Sequence, residues 1–268
     1  MRWVTKLLQR GECSENSSKE EERHARGVPA APLPGGRNQR HRLESGGMSG
    51  VWMSSVLSNY DIGMKQGLRS KFYGHDWEPA EYKIPLVPDE VHNAGRRYTQ
   101  GFALRRLNFP EAAAVWNERS FKKVTDIFTA GGGFFVVRGQ LAQTLARFDL
   151  GEGGLIPFPV YQADLQTPYP GEFFLLNFGC IKNTLVPEQC GDARKFIVRK
   201  ATGVQIYHVN DLKPEAEVVL SAGALAGPDM WFEEAVHNRI FLSDALAQAL
   251  IGIGMGEVFR LHECRVVG

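Results

Sequence analysis

The chain has 268 residues, 43% of them hydrophobic, enough to build one large domain or two small ones around a sizeable core. Thirty-one Lys and Arg face 30 Asp and Glu, a net charge of +1, which argues against a protein defined by a basic nucleic-acid surface. Its four cysteines, Cys13, Cys180, Cys190 and Cys264, are too few for a disulfide scaffold, and no apolar run approaches the roughly 20 residues that span a bilayer. The expectation is a soluble cytoplasmic protein.

Residues 1–47 read as a separate polymer. They hold nine basic and six acidic side chains, leaving 22 basic and 24 acidic for the rest. Glu20-Glu21-Glu22-Arg23 is followed by Pro29, Pro32, Pro34, Gly35 and Gly36, and no apolar periodicity survives beyond Leu8. Such a stretch buries too little to offset its ordering entropy, so a disordered tail is expected. The purine-rich codons of Gly46-Gly47, just before Met48, leave a second reading: a bacterial gene whose translation starts at Met48 or Met53 rather than Met1.

Residues 48–124 form a second region of strands and loops. The stretch 60–110 is rich in Tyr, Pro, Asp and Gly with weak periodicity and predicts short strands and loops. Glu111 to Phe128 predicts one or two helices, with Asn108-Phe109-Pro110 as a start signal.

Residues 125–268 contain an internal repeat. Phe135-Val136-Val137 matches Ile240-Phe241-Leu242 at a spacing of 105, and Leu141-Ala142-Gln143-Thr144-Leu145 matches Leu246-Ala247-Gln248-Ala249-Leu250. Leu141, Leu145 and Phe148, like Leu246, Leu250 and Ile253, fall at i, i+4 and i+7, one stripe of a helix. Ser243 before Asp244 is an N-cap. Each copy therefore predicts strand, short helix, Gly-containing turn and strand, the second copy's last strand alternating from Phe259 to His262. Two such units sharing a sheet are the expected arrangement. Between them, Glu172 to Phe178, Val204 to Val209 and Glu217 to Leu220 read as strands. The fold class is α+β, strand-rich, with two related strand-helix-strand units packed in one body.

Chemistry is harder to find. Gly252-Ile253-Gly254-Met255-Gly256 closes a helix instead of opening one, so it reads as a helix end and not a dinucleotide loop. Gly131-Gly132-Gly133 is likewise a turn. His262 and Cys264 share a strand face, but Cys180 and Cys190 lack the close pairing of zinc ligands, and no metal or cofactor is expected. No Ser or Cys stands in a nucleophile context.

One region carries a resemblance. Pro228-Asp229-Met230-Trp231-Phe232-Glu233, a short polar linker, and Ile240-Phe241-Leu242-Ser243-Asp244-Ala245-Leu246 resemble the ending of a bacterial family. Phe135 to Pro159 and Glu172 to Asn177 are similar to its middle. The family is that of immunity proteins of polymorphic and contact-dependent toxin systems, the "immunity protein eleven" type. Its members commonly have Arg-Asp where this chain has Phe232-Glu233. The resemblance implies a cytoplasmic inhibitor that binds and neutralises a cognate, co-encoded toxin protein without catalysis, nucleic acid or membrane.

For such a binder, Trp231, Phe232, Glu233 and Glu234 are the candidate partner-binding residues, an aromatic anchor with an acidic rim. The other reading of Trp231 is a core residue under the second repeat. Two further function classes stay open. One is an enzyme whose site gathers scattered residues such as His208, Asp211 and Glu172. The other is an assembly protein that oligomerises through a sheet edge.

Overall fold

The computed structural model describes residues 50–62, 67–78, 88–209 and 217–268. The expectation for residues 1–47 lies outside them. Residues 47–268 cluster as one unit.

The N-terminal part of that unit runs β1 (Val51–Ser54), β2 (Leu68–Lys71), α1 (Asp89–Tyr98), β3 (Ala112–Val115) and α2 (Glu118–Phe121). The first repeat follows as β4 (Ile127–Thr129), β5 (Phe135–Arg138), α3 (Gly139–Leu145), β6 (Gly154–Pro157), β7 (Val160–Tyr161) and β8 (Phe173–Asn177). Next come β9 (Ile181–Lys182), β10 (Ala193–Val198), β11 (Gln205–Val209) and β12 (Val219–Ser221). The second repeat is β13 (Met230–Glu233), β14 (Ile240–Ser243), α4 (Asp244–Gly252), α5 (Gly256–Phe259) and β15 (Leu261–Val267). The mixed, strand-rich α+β class is as the sequence indicates.

Among the described residues the strands form four sheets: β12-β15-β1-β14-β13-β9, β4-β5-β8-β6, β2-β3-β7, and the hairpin β10-β11. The two repeats thus lie in separate sheets, against the expectation that they share one, and they meet in one core where α3 contacts α4. Their registers correspond. Val136 pairs with Leu175 of β8, and Ile156 of β6 pairs with that same Leu175. Phe241, 105 residues beyond Val136, pairs with Met53 of β1, and His262 of β15 pairs with that same Met53. The middle strand is therefore β8 in the first unit and β1, from the other end of the chain, in the second. The regions divided at residue 124 in the sequence consequently share a sheet.

Each repeat enters through an aspartate. The amide of Arg138 donates to the Asp126 carbonyl at 3.0 Å, and the amide of Ser243 donates to the Asp229 carbonyl at 2.9 Å. Leu141, Leu145, Leu246 and Leu250 are fully buried, while Phe148 and Ile253 pack at the edge of the same core. The Ser243 hydroxyl caps α4 by accepting from the Leu246 amide at 3.3 Å. The second repeat departs from its expected ending. Phe259 belongs to the short helix α5, Arg260 turns the chain at φ 51°, and the strand begins only at Leu261.

Glu111 to Phe128, read as carrying one or two helices, holds the short helix α2, but its first part is corrected. Ala112–Val115 is a strand, hydrogen-bonded to β2 on one side and β7 on the other and buried throughout. Alanine's helix preference is worth only tenths of a kcal/mol per residue, less than a central strand gains by closing two ladders. Conversely α1 lies within the stretch read as loops. Asp89 and Glu90 in its first turn and Arg96 and Arg97 in its last complement the helix dipole. It buries Val91, Ala94 and Tyr98. The Tyr98 hydroxyl donates to the Leu176 carbonyl at 2.7 Å and accepts from the Phe135 amide at 3.2 Å, and burial raises its pKa.

The six-stranded sheet separates two cores. Met230, Phe232, Ile240 and Leu242 face the large one, which includes the first repeat and both long repeat helices. Trp231, Phe241, Val51, Met53 and Cys264 alternate onto a smaller core on the other face.

Candidate functional site

Strand β13 lies between β14, antiparallel, and β9, parallel, so its backbone is paired on both edges, and the two cores cover its side chains on both faces. Trp231 stacks on Phe241 with ring centroids 6.1 Å apart. Its indole Nε1 donates to Glu233 Oε1 at 2.8 Å, the Thr184 hydroxyl donates to the same oxygen at 2.5 Å, and the Thr184 amide donates to Oε2 at 2.7 Å. On the ring's face the Lys182 ammonium sits 3.5 Å from the Trp231 centroid and donates to the Ala224 carbonyl at 3.1 Å. Burial is the chief reason the pKa of Lys182 is lowered. The carboxylate is thus buried with its hydrogen bonds made, and stripping one member of such a network leaves polar groups without partners.

Phe232 points to the opposite core, edge-on to Phe178 at 4.9 Å. Gly101, at φ 88°, fits over it, and a Cβ there would come within 2.8 Å of the ring. Trp231, Phe232 and Glu233 are each at most 2% exposed. As placed, none of the three presents an anchor to a partner; the core reading of Trp231 describes its surroundings. Glu234, half-buried, pairs with Arg199 at 3.5 Å.

The other sequence candidates do not converge. Glu172 is exposed at the entrance to β8, His208 is on the hairpin β10-β11, and Asp211 lies outside the described residues. Cys264 is buried under the sheet, which raises the pKa of its thiol, and its neighbour His262 is half-buried. Among the described residues, no group of three or more His, Cys, Asp or Glu is placed to hold a metal ion. Helix α4 ends at Gly252, with Gly254 turning the chain at φ 76°.

Among the described residues, the hairpin presents a run of adjacent exposed apolar side chains. Every residue from Arg194 to Val198 is exposed, so both faces of β10 meet solvent. Phe196, Ile197 and Val198 are about half exposed, a contiguous apolar run of the kind that marks interaction sites. The register shifts between Lys195 and Ile197, a bulge that gives Phe196 a direction of its own. Phe196 packs on His208 at 4.1 Å and His237 at 4.9 Å between ring centroids. The inner strand β11 is tied to the body, with the Tyr207 amide donating to Ala235 at 2.8 Å and the His237 amide donating back to Tyr207 at 2.9 Å.

Beside the hairpin is a groove of about 300 Å³, lined by the end of α1 at Arg96 and Thr99, by Phe196, Ile197 and Arg199, and by His237. Glu233 is also among its lining residues, which links the buried network to this surface. In the sequence, Arg194-Lys195-Phe196-Ile197-Val198-Arg199-Lys200 shows an apolar triplet bracketed by basic pairs. That pattern is the available signal, but it is equally that of a buried strand.

The chain matches no protein-family model, and no curated protein matches it.

Proposed function

We propose that the protein is a binding protein of the immunity type, which neutralises a toxin encoded beside it by occupying the toxin's surface, with no chemistry of its own. The observation that supports this reading is the exposed run Phe196-Ile197-Val198 on a hairpin hydrogen-bonded to the chain after β13. Burying such a patch against a partner releases water from apolar surface, and a pre-organised strand loses little entropy on docking. The contact surface is thus the hairpin rather than β13, where the sequence resemblance centres.

The test is co-expression with the toxin encoded by the adjacent gene. Protection should require at least one copy of this protein per toxin, and the two should co-purify at equal stoichiometry. Protection by a small fraction of that amount, with the toxin or its product chemically altered, would replace the binding reading with an enzymatic one.

A further inference from the structure

We infer that the β10-β11 hairpin and the groove beside it form a docking site for a protein partner whose contact surface is acidic around an apolar anchor. The inference rests on the binding reading only for the partner's identity; the site's chemistry stands on its own charges and exposure.

Residues 193–209 contain Arg194, Lys195, Arg199 and Lys200 and no Asp or Glu, in a chain whose overall net charge is +1. Two of these cations are engaged, Arg194 with Asp192 at 3.0 Å and Arg199 with Glu234 at 3.5 Å. Lys195 and Lys200 are exposed and, among the described residues, have no ion-pair partner. Across the groove Arg96 is in the same position, exposed at the C-terminal end of α1. Among the described residues, the apolar run is therefore ringed by three cations without an ion-pair partner, Lys195, Lys200 and Arg96.

That arrangement selects its partner by sign. A carboxylate-rich surface is steered toward the ring and held at its rim, whereas a basic one meets like charge. The centre of the site is apolar, with Phe196 and Ile197 standing beside a groove that accepts a side chain, the form taken by interface hot spots. A nucleic acid is the less suited occupant. Ile197 and Val198 offer no stacking face, and the Phe196 ring is already packed against His208 and His237.

The experiment uses the full chain and labelled short peptides of alternating Glu and Leu or alternating Lys and Leu, with an oligo-dT strand of matching length. The variants are Lys195→Glu with Lys200→Glu, which reverses the ring, and Phe196→Ser with Ile197→Ser, which removes the centre. Circular dichroism and thermal unfolding check that both keep the fold. The Glu-Leu peptide should bind, the Lys-Leu peptide should not, and each double variant should weaken binding by about tenfold or more. Equal binding of the two peptides, or affinity unchanged in both variants, would overturn the proposal. Tighter binding of oligo-dT would overturn it in favour of nucleic acid. A dimer in sedimentation that the Phe196 and Ile197 variant dissolves would overturn it in favour of a second copy of this chain. Toxin protection then separates the two levels. If the natural chain protects and both variants protect equally, the docking site is wrong and the binding reading stands. If the natural chain fails to protect while peptide binding follows the variants, the docking site stands and the toxin reading falls.

Discussion

The two repeat units share a pattern of pairing but differ in where the pattern is completed. In the first, β4, β5, β8 and β6 come from one continuous stretch of chain, and among the described residues the sheet has four strands. In the second, the middle strand is β1, more than 170 residues upstream, and the sheet continues to β12 beyond β15 and to β9 beyond β13. Ile127, Phe128 and Thr129 of the first unit correspond by register to Met230, Trp231 and Phe232 of the second. The hydrogen-bonded Trp231–Glu233–Thr184 set therefore belongs to the extended edge, where β9 brings Lys182 and the chain beyond it Thr184. The shared core carries the fold, and the differences lie where the second sheet gains neighbours.

The largest test of this comparison is removal of the borrowed strand. β1 is paired on both sides, the Trp52 indole donates to Asp244 at 2.9 Å, and the Ser54 hydroxyl donates to the Phe259 carbonyl at 2.5 Å. Deleting residues 1–54 should cost more than about 5 kcal/mol, comparable to a domain's whole stability, and abolish cooperative thermal unfolding. Deleting residues 1–47 should leave the thermal midpoint within a few degrees, since it spares all of these contacts. A chain beginning at Met53 would lack Val51 and Trp52 and should fall between the two. Cooperative unfolding without β1 would show that the second unit does not need its middle strand.

The helices should behave alike in both units. Leu145→Ala and Leu250→Ala each empty a fully buried site and should cost about 2 to 5 kcal/mol in denaturant unfolding. Gln143→Ala and Gln248→Ala alter exposed positions and should stay within about 0.5 kcal/mol. A difference of several kcal/mol between the two Leu variants would break the equivalence of the units.

A smaller difference is expected at the aspartates. Asp229 accepts from the Ser243 hydroxyl at 2.7 Å and from the Asp149 amide at 2.9 Å, so its carboxylate braces the α4 cap and the turn leaving α3. Asp126 has a looser ion pair with Arg138 at 3.6 Å, both partly exposed. Asp229→Ala should cost about 1 to 2 kcal/mol and Asp126→Ala about 0.5 kcal/mol, read from equilibrium unfolding. Equal costs would place the bracing elsewhere.

Much of this architecture is legible in the sequence because it is written in local periodicity. The i, i+4, i+7 stripes give α3 and α4, the spacing of 105 gives the repeat, and Ser243 gives the cap. What is not legible depends on distant chain. Nothing local at Val51–Ser54 announces a strand completing a sheet built from residues 230–267. Ala112–Val115 reads as helix because its two ladder partners lie some 40 residues away on each side. The same gap hides which residues are covered. Trp231 beside acidic residues has the composition of an interface, and only the arrival of β9 and Thr184 shows the acid to be buried. Phe196-Ile197-Val198 has the composition of a core strand, and only the absence of a covering layer over β10 among the described residues shows it to be surface.

The smallest effect concerns His237, where the second unit meets the hairpin. Its pKa is held below the ordinary imidazole value by burial first, then by the neighbouring charges of His208 and Arg239. Between the ordinary value and the lower folded one, the unfolded chain binds more protons than the folded chain, so stability rises with pH through that window. The stabilising contribution is complete above the ordinary imidazole pKa and is lost as pH falls toward the folded value. Because the ring is packed against Phe196 and His208 yet still partly open to solvent, the effect is screened and small. The thermal midpoint of the natural chain should therefore decline from pH 7 to pH 5 more than that of His237→Gln, which keeps polar contact without a titrating ring. Acidic carboxylates elsewhere contribute equally to both chains, so the difference between the two slopes isolates this residue. A His237→Gln slope as steep as the natural one would remove the imidazole as its source, and a steeper one would show that its protonation steadies the hairpin instead.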